Sequence, residues 1–231
     1  MNRGEASLWQ KEPMPLSPKT RPSPVEPIPP SFRSLLSAAD WSKLPAAIQA
    51  RFSRRFRAGQ TVCYTTRVIT TRVTRTGWLL AQAARLFGAP LPIHRGDGPA
   101  VVTVTDHPGN FGQVWTRIYH VDKGFPQTIS SVKRFTGNTG LEEYIGFGLS
   151  IELVVHVENN SLIFTGNAYY LSIGPWRMKI PTFLTPGKLT VVHTEADDDA
   201  FSFEMSLEHP LFGRLLHQLA QFEDATPLNL Q

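Results

Sequence analysis

Leu149-Ser-Ile-Glu-Leu-Val-Val-His-Val157, followed through Glu158-Asn-Asn-Ser161 by Leu162-Ile-Phe-Thr-Gly-Asn-Ala-Tyr-Tyr170, reads as two long antiparallel strands joined by a tight turn. Apolar and polar residues alternate, and a period of two puts successive side chains on opposite faces of a sheet. Gln113-Val-Trp-Thr-Arg-Ile-Tyr-His120 alternates in the same way. Outward from these runs, further strands are expected near 100–106, 127–135, 188–194, 200–208 and 214–222, with turn chemistry at 158–161 and 196–200. Many antiparallel strands with few helices predict an α+β, mostly β fold. It is a strongly curved antiparallel sheet or barrel-like calyx, with one or two short helices in the N-terminal half.

Those helices are expected in residues 31–53, divided at Pro45, and in residues 76–88. In the second, Trp78, Leu79, Gln82, Ala83 and Leu86 fall at spacings of three and four, so they are read as its buried face, with Gly88 as its stop. Residues 64–76 between them read as a strand rich in Thr, Val and Ile. Its five-residue echo, Thr-Thr-Arg-Val, places Arg67 and Arg72 on opposite faces. That pattern suits an edge strand guarded by charge, or a strand lining a polar cavity.

Residues 1–30 are a Pro-rich, charged tail that buries too little apolar surface to order itself, and disorder is expected there. Residues 31–231 are expected to form a single curved β-sheet domain. No apolar run is long enough to span a bilayer, and no secretory signal is visible. The single Cys63 excludes an intrachain disulfide framework. A soluble, cytoplasmic protein is the expectation. The formal net charge of +4 conceals a basic first third and a mildly acidic remainder, so no nucleic-acid partner is expected.

No compact catalytic motif accompanies the strands, so the sequence names no reaction and no catalytic residue. Gly-x-Ser-x-Gly and phosphate-loop patterns are absent, and the histidines are dispersed, so neither a cofactor nor a metal site is expected. Glu142 and Glu143 are adjacent, and neighbours on a strand point apart, which argues against a carboxylate dyad. Trp115, Arg117 and Tyr119 do share one strand face, and an arginine between aromatics suits either a structural pair with Glu142 or Glu143 or an anionic head group. The ligand-binding candidates are therefore Trp115, Arg117, Tyr119 and Glu143, with Arg117 near the opening of the calyx. The apolar faces Leu149/Ile151/Leu153 and Phe201/Phe203/Met205/Leu207 need a cover, which the helix at 78–87 supplies only in part. A cavity for a lipid-like amphiphile follows as the expectation.

The order of motifs points to a family. After the helix come Trp-x-Arg at 115–117, Leu141-Glu-Glu-Tyr-Ile-Gly146, Lys179-Ile-Pro-Thr-Phe-Leu-Thr-Pro186 and Glu208-His-Pro-Leu-Phe-Gly213. Over about residues 43–224 the chain resembles the domain-of-unknown-function family DUF4166. The matched positions are Trp115, Arg117, Glu143, Gly146, Pro181 and Pro186, while the Thr/Arg repeat of the first strand departs from the pattern. The resemblance implies a domain that stands alone or is fused to a saccharopine-dehydrogenase-like domain. It brings a second expectation: an accessory domain or enzyme subunit acting with an NAD(P)-dependent oxidoreductase.

Overall fold

The computed structural model describes residues 30–54, 59–86, 91–92, 96–107, 112–196 and 200–223, the side chains of Leu86 and His107 excepted. The expected tail up to residue 29, the helix stop at Phe87 and Gly88, and residues 197–199 of the expected turn lie outside them. Eleven strands follow in chain order: β1 Thr61–Val73, β2 Gly98–His107, β3 Gly112–Tyr119, β4 Gln127–Arg134, β5 Glu142–Gly146, β6 Leu149–Glu158, β7 Ser161–Ile173, β8 Trp176–Lys179, β9 Lys188–Glu195, β10 Ala200–His209 and β11 Gly213–Glu223. Ten of them form a closed antiparallel barrel, with β1 paired to β11 and β6 paired to β7. β8 lies outside the ring as a short hairpin partner of β7. Closure pairs every ladder and removes the exposed edges that an open sheet would carry. The strands β5 and β8 escape a reading by alternation because they are only five and four residues long.

β1 corrects the sequence expectation. Arg67 and Arg72 both face outward and are exposed. The register against β11 slips between Val68 and Thr70, so Ile69 is an extra residue in a bulge. One inserted residue inverts the phase of alternation, and a spacing of five then returns to the same face. The inward set becomes Val62, Tyr64, Thr66, Val68, Thr71 and Val73, all buried, and β1 is an interior member of the ring.

The strands run up and down in sequence, so the connections divide between two ends. One end is plugged by the N-terminal helical segment. A 3-10 turn at Phe32–Leu35 leads into α1 (Ala38–Lys43) and α2 (Ala46–Ser53). Ser37 caps α1 by accepting from the Asp40 N–H at 3.0 Å, and Pro45 stands before α2, dividing the segment as expected. Phe32, Trp41, Leu44, Ile48 and Phe52 are buried. Phe32 meets Phe52 and Phe164 edge to face at 5.2 and 5.9 Å. Arg51 donates to His193 Nε2 at 2.8 Å and lies 3.7 Å from the Phe201 ring centroid. Arginine can only donate, so His193 is neutral with its proton on Nδ1, directed to the Ser202 carbonyl at 3.2 Å. Burial, aided by the Arg51 charge, depresses the imidazole to about 3.

The other end carries α3 (Arg75–Leu86) in the β1–β2 connection. Thr74 caps it, its Oγ1 accepting from the Gly77 N–H at 3.0 Å. The buried stripe of α3 is not the one expected from spacing. Gly77 and Ala81 are buried, whereas Trp78 and Leu79 are 42% and 63% exposed. Gly77 explains the rotation: a Cβ there would run into the Leu215 carbonyl, so only glycine lets the first turn of α3 sit on β11.

Candidate functional site

The barrel interior contains a cavity of about 530 Å³. It runs from Leu80, Ala84, Phe147 and Leu184 at the α3 end to Trp115, Lys133 and Phe164 toward the plug. Its walls are mostly apolar, with Ile151, Leu153, Leu189, Val191, Met205 and Leu207 among the contributors. The expected cavity is thus present. It lies inside a closed ring, with α3 at one mouth, instead of between an open sheet and a helix.

One polar cluster interrupts these walls. Lys133 and Glu143 are register partners on β4 and β5, one pair from the loop at the plugged end. Lys133 Nζ donates to Glu143 Oε2 at 3.0 Å, and Ser131 Oγ donates to Oε1 at 2.6 Å. Arg117 Nη1 donates to Ser131 Oγ at 3.3 Å, and its Nη2 lies 3.7 Å from Glu143 Oε1. The ammonium of Lys133 also sits 5.1 Å from the Trp115 ring centroid and 5.9 Å from that of Phe164. Phe164 in turn touches Phe52 of the plug. The Lys133–Glu143 pair therefore lies toward the plugged end of the cavity, whereas Arg117 stands opposite Ile129, two residues from the α3 end of β3, and reaches back to Ser131 and Glu143.

Two cations share one carboxylate here, and the titration behaviour follows. Burial alone would raise the Glu143 carboxyl, but Lys133, Arg117 and the hydrogen bonds hold it down at about 2. Lys133 sits below its ordinary value because burial disfavours its charge, an effect that Glu143 opposes and Arg117 reinforces. Tyr169, buried on the neighbouring wall, is raised by burial and by the negative charge of Glu143, so it stays a phenol. Its hydroxyl makes no hydrogen bond among the described residues and lines the cavity.

Of the four residues predicted from sequence, three converge. Trp115 and Arg117 flank Lys133 and Glu143 directly. Tyr119 lines the same cavity but turns away, donating to Gln218 Oε1 at 3.1 Å, and Gln218 donates to Thr71 at 3.0 Å. Glu142 points out of the barrel to Arg177, so the two adjacent glutamates do diverge, although both are buried. Ser131, Lys133 and Tyr169 were missed. No sequence signal marked Lys133: Ile129 and Val132 are three residues apart, so β4 shows no single apolar face, and only the burial of Ile129, Ser131 and Lys133 reveals which side is inward. Among the described residues, no group of three or more His, Cys, Asp or Glu side chains is placed to hold a metal.

A family model described as a domain of unknown function, DUF4166, matches residues 44–222. This chain belongs to the DUF4166 family. The match takes in α2, α3 and every strand of the barrel, ending at Phe222 within β11. The cavity and its polar cluster are therefore features of the DUF4166 region itself. Comparison with curated proteins and with solved structures gives no match.

Proposed function

We propose that this DUF4166 barrel binds a single-chain amphiphile with an acidic head group, taken up head first. The observation that carries the reading is the charge imbalance toward the plugged end of an apolar cavity. Arg117 and Lys133 face one carboxylate, Glu143, and Tyr169, near enough to feel that carboxylate's charge, lines the same cavity with a hydroxyl unpaired among the described residues. An entering anion completes the pairing of both cations and restores the proton affinity that burial removes from Lys133. The apolar walls then hold the tail along the axis toward the α3 end. At about 530 Å³ the space falls within the range of roughly 300–1,000 Å³ common to small-molecule sites. The second reading, an accessory role beside a saccharopine-dehydrogenase-like NAD(P)-dependent oxidoreductase, rests on the family resemblance alone.

The test is displacement of a fluorescent fatty acid, run with a long-chain acid and the alcohol of the same length. The acid should displace at micromolar concentration and the alcohol at least about tenfold less well, the difference expected of one charge-assisted contact. Arg117→Met should erase that preference, and Leu153→Trp should abolish binding by filling the cavity. Equal displacement by acid and alcohol in the parent protein refutes the head-group assignment, and no displacement by either refutes the ligand reading.

A further inference from the structure

The alternation of strand direction sets the turns at 146–148 and 210–212, the excursion at 174–187 and α3 at the same end of the barrel. Among the described residues, every exposed large hydrophobic other than Ile69 and Val154 lies at that end or in the loop between β3 and β4 beside it. Phe147, Trp176, Phe183 and Leu211 are 75, 71, 66 and 74% exposed, and Trp78 and Leu79 of α3 stand with them. Large apolar side chains this concentrated mark an interaction surface, whereas scattered ones would need no explanation. The collar is continuous with the cavity, because Phe147 and Leu184 belong to both.

Charge indicates what the collar meets. Arg75, Arg85, Lys123, Arg177, Lys179 and Lys188 are exposed at this end, and of these Arg177 is paired with Glu142. The exposed acids there are Asp97, Asp122 and Glu208, and two of them are already paired, with Arg67 and Arg214. Lys123, Lys179 and Lys188 make no ion pair among the described residues. Tryptophan and phenylalanine ringed by lysine and arginine match the boundary of an anionic bilayer. Rings settle at head-group depth, alkyl stems lie along the apolar layer, and the ammonium groups meet lipid phosphates.

The backbone supplies an independent sign. Phe147 and Gly148 form the two-residue turn between β5 and β6, and Phe147 has φ of 45°. A bulky residue in the left-handed region is held there against its own preference, which is a mark of functional positions. The turn thrusts an aromatic ring past the rim of the cavity.

We propose that the open end docks on an anionic lipid surface, so that the cavity exchanges its amphiphile directly with the membrane. The exchange rests on the ligand reading, but the docking rests on the collar alone. The test is co-sedimentation of the full chain with vesicles of phosphatidylcholine alone and of phosphatidylcholine mixed with phosphatidylglycerol. Binding to the mixed vesicles should exceed binding to the neutral ones by about tenfold and fall with added salt. Lys179→Glu with Lys188→Glu should lower it about tenfold, as should Trp176→Ser with Phe183→Ser. Val154→Ser, on the barrel wall, should change nothing. All variants should keep the parent melting temperature, since these side chains are exposed. Equal binding to both vesicle types, or binding unaffected by the collar variants, overturns the proposal. So does a concentration-dependent dimer in sedimentation equilibrium that Trp176→Ser with Phe183→Ser abolishes, because the collar would then be an interface between two copies. Leu153→Trp separates the two readings: it should lose fatty-acid displacement and keep vesicle binding. Retained displacement with no vesicle binding refutes docking and leaves the ligand reading intact.

Discussion

The two ends of the barrel are built on opposite principles. At the plugged end, Phe32, Ile48 and Phe52 are buried in an aromatic cluster, and the tight turn between β6 and β7 is Asn159-Asn160 at φ of 49° and 59°. Asparagine is among the few residues that accept that conformation without strain. At the open end the equivalent turn between β5 and β6 is Phe147-Gly148, and the aromatics point into solvent. One end has been shaped for packing and turn preference. The other keeps exposed rings and an unfavourable backbone, the pattern of a surface that stability alone does not explain.

Substitutions can break this contrast, beginning with the largest effect. Phe52→Ala opens a hole beneath three aromatic neighbours and should destabilise the fold by about 3–5 kcal/mol in chemical denaturation. Glu143→Gln, at the seam between plug and cavity, leaves Lys133 buried beside Arg117 without a counter-charge. It should cost about 3 kcal/mol, and adding Lys133→Met should recover most of that. If the single and double variants are equally unstable, the pair does not act as a unit.

Acid should act first on the plugged end. His193 is neutral when folded, with its value at about 3, and takes up a proton from 6.5 downward when unfolded. Its contribution is complete above pH 6.5 and is lost as pH falls toward 3, at about 1.4 kcal/mol per pH unit. Glu143 contributes fully above 4.5 and loses its contribution as pH falls toward about 2. Melting temperatures should therefore decline below pH 6.5, and His193→Gln should flatten the curve between 6.5 and 4.5 while leaving the steeper loss below. A decline of unchanged slope in that variant would assign the acid sensitivity elsewhere.

The smallest effects belong to the open end, and one has the opposite sign. Phe147→Asn should raise stability by about 1 kcal/mol by relieving the left-handed phenylalanine, with vesicle binding reduced. Phe183→Ser should stay within about 0.5 kcal/mol of the parent, as expected of an exposed side chain. A large loss from either would mean that the collar is packed against something in the folded chain.

Strand content and the inward faces of β3, β6 and β10 were legible because alternation of apolar residues is a local signal, whereas in β7 the extra residue Asn167 shifts the phase and turns Tyr169 inward. The same signal placed Trp115 and Arg117 on one face, and the pairing of Arg117 with a neighbouring glutamate was anticipated from the aromatic-flanked arginine. Reading failed where a local rule met a non-local event. The bulge at Ile69 turned Arg72 outward, and the contact of Gly77 with the Leu215 carbonyl rotated α3 about its axis. β5 is too short to announce itself, so the inward direction of Glu143 became visible only through its partner Lys133.

The sequence by itself determined that this chain makes long antiparallel strands with one apolar face, because side-chain period and backbone pleat are coupled residue by residue. Only the tertiary structure decided that the sheet closes, with β6 against β7 and β1 against β11. Closure depends on register summed around ten strands, and no single segment encodes that sum. Closure also turned the apolar faces into the walls of one cavity, and the pairing of the neighbouring strands β3, β4 and β5 gathered Arg117, Lys133 and Glu143 on its inner surface.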